Sequence, residues 1–73
     1  MGMWLCTDNG MAAYNLAAIS RLFIEQTGTG AALKAEIAGK SLMIAYFSSR
    51  QDAQTTLKHI LESQEKGQSV LHL

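Results

Sequence analysis

The stretch "TGTGAALKAEIAGKSLMIAYFSSR", from Thr27 to Arg50, decides how this 73-residue chain folds. It contains two dipeptides that begin with glycine, Gly28-Thr29 and Gly39-Lys40. Glycine at the first central position is what a type II′ hairpin turn requires, because that position takes a positive φ angle. Two such turns predict three consecutive antiparallel strands.

Each predicted turn fixes a register that can be checked against the side chains it pairs. The first turn predicts one set of pairs on each face of the sheet: Ser20–Ile37, Leu22–Ala35 and Ile24–Leu33 on one, Arg21–Glu36 and Phe23–Lys34 on the other. The second turn predicts three further pairs: Ile37–Leu42, Ala35–Ile44 and Leu33–Tyr46. Both turns place Leu33, Ala35 and Ile37 on one apolar face, and a slip of one residue would scramble that set.

The rival interpretation makes Gly28-Thr29-Gly30 a phosphate-binding turn that opens a helix over 31–38. Such a helix would have about eight residues and a length of roughly 12 Å. A crossover to a parallel strand needs at least a dozen residues. Leu33 also stands where the dinucleotide-binding fingerprint requires a third small residue. The hairpin interpretation is therefore preferred, and no nucleotide cofactor is expected.

The N-terminal segment predicts another hairpin around Asn9-Gly10, the dipeptide most typical of a type I′ turn. This turn pairs Leu5 with Tyr14 and Met3 with Leu16, and leaves Trp4 and Cys6 on the opposite side. The following segment, 15–19, is interpreted either as a tight connection or single helical turn, or as a prolonged strand.

The period of the apolar residues changes after Phe47. Ser48 or Ser49 can cap a helix, with Gln51 or Asp52 completing a capping box. The stripe predicted to face the core is Ala53, Leu57, Ile60 and Leu61. Glu62 and Lys66 are spaced to form an ion pair, and Gly67 is placed to end the helix.

These elements predict an α+β fold, an antiparallel β-meander of about five strands with one C-terminal helix packed on one face. Residues 1–67 are expected to form a single domain. Residues 68–73 alternate weakly and are either a frayed C-terminal tail or an extra edge strand.

Composition bounds the functions open to the chain. Six basic and six acidic residues cancel, and charged residues make up 16% of the sequence against an average of about 25%. No apolar run approaches the roughly 18 residues of a membrane span, and Met1–Trp4 lacks the basic flank of a secretion signal. One cysteine fits a reducing compartment, so a cytoplasmic protein is expected. Small domains often need a partner subunit for stability, which favours oligomerisation.

The residues that could carry out chemistry are few. Cys6 and His59 are the one pair that resembles a nucleophile and a base, and nothing in the sequence brings them together. His72 lies in the tail without other ligands, and His59 is expected to border the core. Glu25 and Asp52 are isolated carboxylates. We therefore expect no catalytic residue, no metal site and no cofactor.

The sheet face opposite the helix is the candidate interaction site. Its predicted members are Trp4, Arg21, Phe23, Lys34, Met43 and Phe47, with Cys6, Glu25, Glu36 and Ala45 among them. One interpretation is that the sheet curls and buries these residues within the monomer. If the face is open, contiguous aromatic groups mark either a protein interface, most simply a homodimer, or a surface on which single-stranded nucleic acid stacks. The balanced charge favours the protein interface.

The N-terminal third carries a further pattern, made of Leu5–Gly10, Asn15-Leu16, Ile19 and Ile24-Glu25. In this pattern it resembles the small flagellar FlbD-type proteins. Members of that family have a strand, an Asn-Gly turn, a Leu-Asn element, an Ile-Glu strand and a capped C-terminal helix, and this chain has Asn and Leu in the reverse order. Similar layouts recur in small bacterial and phage proteins. The resemblance implies an accessory, non-enzymatic protein that acts through contacts, and it assigns no functional residue.

Overall fold

The computed structural model describes residues 3–7 and 10–73. Within those ranges the chain has six strands, a short 3₁₀ helix and one α-helix. In chain order they are β1 (Trp4–Cys6), β2 (Ala13–Asn15), the 3₁₀ helix (Leu16–Ala18), β3 (Arg21–Thr27), β4 (Gly30–Ile37), β5 (Lys40–Phe47), α1 (Arg50–Glu65) and β6 (Val70–His72). No helix in this described part of the chain combines the length and hydropathy needed to cross a membrane.

The strands form two three-stranded sheets, which we call the β1 sheet, in the order β2–β1–β6, and the β4 sheet, in the order β3–β4–β5. The α+β class is confirmed, with β3, β4 and β5 as a meander that packs against α1. The tail beyond Gly67 is an edge strand, because Val70–His72 pairs in parallel with β1.

The hairpin around Gly28-Thr29 is confirmed. Arg21 lies opposite Glu36, Phe23 opposite Lys34 and Ile24 opposite Leu33. The ladder begins at Arg21, so the expected Ser20–Ile37 pair is replaced by bonds from the Ser20 N–H and Oγ to the Glu36 carbonyl, at 2.9 and 3.0 Å. Residues 30–37 form an extended strand, so the helix that the phosphate-turn interpretation required is not there.

The predicted register of the second hairpin is wrong. The two turn residues are Ala38 and Gly39, with φ angles of 53° and 80°, and Ile37 pairs with Lys40 instead of Leu42. Two positive φ angles define a type I′ turn, whose twist matches that of the flanking strands. Near the turn, β5 is therefore offset by two residues from the predicted alignment, which leaves Leu42 on its predicted face.

A bulge at Ile44 changes the alignment again. Lys34 pairs with Met43, whereas the preceding residue of β4, Leu33, pairs with Ala45, so Ile44 is the extra residue. One extra residue reverses which face the following side chains occupy. Beyond the bulge Phe47 therefore packs against the core, and Tyr46, which was predicted to lie inside, is 55% exposed on the other face.

The N-terminal hairpin has the predicted pairing of Leu5 with Tyr14. The Met3–Leu16 contact takes the form of a 2.7 Å bond from the Leu16 N–H to the Met3 carbonyl. Of the proposed turn, Asp8 and Asn9 lie outside the described residues. The following segment forms a single 3₁₀ turn, capped by the Asn15 side chain, which accepts a bond from the Ala17 N–H.

The helix begins and ends as predicted. Ser49 is the N-cap, and its Oγ accepts a 3.2 Å bond from the Asp52 N–H. Gly67, at a φ of 79°, follows the last turn. Ala53 and Ile60 are fully buried, whereas Leu61 is 53% exposed and does not belong to the buried stripe. Within the described chain, the expected ion pair of Glu62 with Lys66 does not form.

A single core joins both sheets and the helix. Its buried members are Met3, Leu5, Leu16, Leu33, Ala35, Ile44, Ile60 and Leu71. Burying a Leu, Ile or Met side chain stabilises a fold by about 1.5–3 kcal/mol. Because Leu71 of β6 belongs to this cluster, the tail contributes to the folded unit.

Candidate functional site

The face of the β4 sheet that points away from the core carries most of the predicted interaction residues. We call it the outer face. It is defined by the ladder positions that alternate with the buried ones: Arg21, Phe23, Glu25 and Thr27 on β3, Ala32, Lys34 and Glu36 on β4, and Ser41, Met43 and Tyr46 on β5. Successive side chains of a strand point to opposite faces, so the same backbone that buries Leu33 and Ala35 displays these groups.

The charged groups of the outer face are held by neighbours on the same face. The Lys34 Nζ lies 2.7 Å from the Glu25 Oε1. The Arg21 guanidinium lies over the Phe23 ring, 4.3 Å from its centroid, which is a cation–π geometry. Glu36 is the cross-strand partner of Arg21. The face thus presents two cations and two carboxylates side by side.

The apolar part of the outer face is concentrated on β5. Met43 is 58% exposed and Tyr46 is 55% exposed. The residues of β4 next to Tyr46 are small, since Gly30 has no Cβ and the cross-strand partner Ala32 is 1% exposed. A Cβ built at Gly30 would collide with the Tyr46 ring and lie 2.6 Å from the Phe47 carbonyl oxygen. The ring therefore rests on the glycine and leaves its other side to solvent.

The structure brings four of the six predicted interface residues onto this one surface, namely Arg21, Phe23, Lys34 and Met43. Trp4 is 46% exposed but lies on the β1 sheet, where its neighbours are Asn15 and Val70. Phe47 packs against the core. Tyr46 was missed, because its exposure depends on a bulge that has no local sequence signal.

The remaining candidate groups are dispersed. His59 was expected to border the core, but it is exposed on α1. Cys6 lies opposite His72 across the β1–β6 ladder, a neighbour that the sequence did not suggest. Among residues 3–7 and 10–73, no cluster of three His, Cys, Asp or Glu side chains is arranged to hold a metal ion.

Comparisons with known proteins found no relative of this chain. No family model, no curated protein and no solved structure matches the chain.

Proposed function

We propose that this protein is a non-enzymatic interaction module that self-associates as a homodimer through the outer face of the β4 sheet. The observation that carries the proposal is the pair of large, exposed side chains on β5, Met43 and Tyr46, on the same face as the Phe23 ring of β3. Apolar groups gathered on a polar-rimmed surface are typical of interaction sites. A cytoplasmic location is part of the same proposal and is supported by the single free thiol of Cys6.

The charge pattern supports a second copy as the partner. Arg21 and Lys34 lie among Glu25 and Glu36, so the face is neutral in sum and mixed in sign. In a twofold dimer each copy presents the same patch to the other. A patch with both signs can then place unlike charges opposite each other, whereas a partner of one sign would meet repulsion.

The size of the outer face sets the expected strength of the dimer. β5 has eight residues, so the sheet is about 26 Å long, and three strands spaced about 4.8 Å apart give a footprint of roughly 350 Å². Stable dimers bury about 800 Å² per partner. We therefore expect a weak, concentration-dependent dimer with a dissociation constant in the micromolar range or above.

Sedimentation-velocity runs over a series from micromolar to about 1 mM protein test the proposal. We expect the average mass to rise with concentration and to stay monomeric in Met43→Asp. Leu61→Asp is the matched control, because Leu61 is similarly exposed but lies on α1. A wild-type protein that is monomeric throughout, or a Met43→Asp variant that associates like the wild type, would contradict the proposed interface.

Single-stranded nucleic acid remains the alternative partner. In its favour, Arg21 lies over the Phe23 ring, and Tyr46 offers a second exposed aromatic surface for a base. Against it, Lys34 is already paired with Glu25, and the chain has no net charge to attract phosphates. A titration of a labelled oligothymidylate with the protein at low salt, followed by fluorescence anisotropy, tests this alternative. Binding that Arg21→Ala weakens would favour this alternative, and the absence of binding eliminates it.

A further inference from the structure

A groove runs along the other side of the β4 sheet, between α1 and the edge strand β3. It has a volume of about 280 Å³. Its apolar lining comes from the 3₁₀ helix and the residue after it, from β3 and from α1: Leu16, Ile19, Leu22 and Leu57. These apolar side chains lie off the outer face, so the groove meets the proposed dimer surface only at Arg21, which borders both.

One rim of the groove is an apolar residue that the domain leaves uncovered. Leu61 follows the spacing of the buried helical stripe, yet it is 53% exposed, whereas its neighbour Ile60 is fully buried. The apolar stripe of α1 is therefore wider than the surface that the domain buries.

The opposite wall is a strand edge. β3 has seven residues and pairs only with β4 among the described strands, so its second edge carries unpaired backbone groups. An extended peptide can add to such an edge through main-chain hydrogen bonds while alternate side chains enter adjacent pockets. A groove between an edge strand and a helix suits this mode, because every second side chain of the added strand points toward the helix.

Arg21 is the charged residue among those that line the groove, and it lies at the margin that the groove shares with the outer face. Its guanidinium is positioned over the Phe23 ring and makes no ion pair within the described part of the chain. A guanidinium fixed in this way presents hydrogen-bond donors in a planar fork that matches a carboxylate. A bound segment with an acidic side chain at this end of the groove would supply the carboxylate that pairs with the guanidinium.

We propose that the groove between α1 and β3 binds an extended segment of another protein, with apolar side chains at alternate positions and an acidic side chain beside Arg21. The segment adds as a strand to the free edge of β3. The apolar side chains contact Leu57 and Leu61, and the carboxylate accepts hydrogen bonds from the guanidinium. Four consecutive residues, 19–22, line the groove, and Arg21 and Leu22 of them begin β3, so a core motif of about four residues, roughly 13 Å, is expected.

Selection from a phage-displayed library of random dodecapeptides tests the proposal. We expect an enriched motif of the form apolar–x–apolar with Asp or Glu beside it. A synthetic peptide of that consensus should bind at least about tenfold more weakly to Leu61→Asp and to the uncharged second variant Leu61→Ala. Met43→Asp, which alters only the outer face, should bind the peptide like the wild type, so the proposed dimer can fail without affecting this result.

Two further readouts separate the elements of the proposal. Selection against Arg21→Gln should return apolar motifs without the acidic residue. Hydrogen exchange with the consensus peptide should protect backbone amides of β3. No enriched motif, a motif with helical i, i+3 spacing, unchanged binding to both Leu61 variants, an acidic preference that survives Arg21→Gln, or unprotected β3 amides would each overturn the proposal.

Discussion

Replacing Ala38 with Asn should stabilise the protein. Ala38 is the one non-glycine residue with a positive φ, 53°, in the described ranges, and it occupies the first central position of the type I′ turn. An L-residue with a Cβ pays about 1–2 kcal/mol in this left-handed region, whereas Asn tolerates it through local hydrogen bonding. Asn-Gly is the dipeptide that this turn prefers.

The expected gain follows from that penalty. Asn recovers part of it, so the free energy of unfolding should rise by about 0.5–1 kcal/mol. For a domain of this size, 1 kcal/mol corresponds to a shift in Tm of about 4–8 °C. Ala38→Asn should therefore raise Tm by about 2–8 °C, which differential scanning calorimetry resolves. Ala18→Asn is the matched control, because Ala18 is also exposed but lies in the 3₁₀ helix at a negative φ.

The same substitution tests the register of the β4 sheet. If Gly39-Lys40 formed a type II′ turn, Ala38 would belong to the strand, where Asn is unfavourable. Ala38→Asn would then lower Tm. A Tm that falls, or that changes no more than in Ala18→Asn, would refute the type I′ turn. Cross-strand NOEs between Ala35 and Leu42 provide an independent check of the pairing.

Two other predictions concern close contacts and capping. Gly30→Ala should lower the free energy of unfolding by about 1–3 kcal/mol, because the added methyl meets the Tyr46 ring and the Phe47 carbonyl. In a Tyr46→Ala background, the loss in the free energy of unfolding caused by Gly30→Ala, measured by urea denaturation, should be smaller but not zero, since the Phe47 carbonyl remains. Equal losses in the two backgrounds would contradict the contact with the ring. Ser49→Ala should cost about 1 kcal/mol, because it removes the acceptor for the Asp52 N–H at the helix N-terminus. Ser49→Thr, which keeps a hydroxyl, should restore most of the loss, and a neutral Ser49→Ala would count against the cap.

The hairpins show which parts of this fold follow from local sequence. The Gly28-Thr29 turn was predictable because the paired strands on both sides agree on one register. Gly39 was ambiguous, since glycine suits the first position of a type II′ turn and the second position of a type I′ turn equally well. The type I′ choice places alanine at a positive φ, which no local preference favours.

The long-range pairing of β6 with β1 could not be predicted from the sequence, for a different reason. β6 is three residues long and joins β1 from the far end of the chain. Its stability comes from burying Leu71 in the shared core, which is a tertiary effect. The exposure of Leu61 has the same origin. The helical period identifies which residues could face the core, but the area that the sheets can cover determines which of them do.

The bulge at Ile44 explains why Met43 lies on its predicted face whereas two aromatic residues exchanged faces. Met43 precedes the extra residue, so it lies on the outer face in the predicted and the observed alignment alike. Tyr46 and Phe47 follow it and are reversed. The bulge lets Ile44 and Phe47 both pack inward, and the consequence on the other face is an exposed Tyr46 over Gly30. The chemistry of the outer face beyond Met43 is thus set by packing in the core, which is why Met43 is the side chain on which to test association.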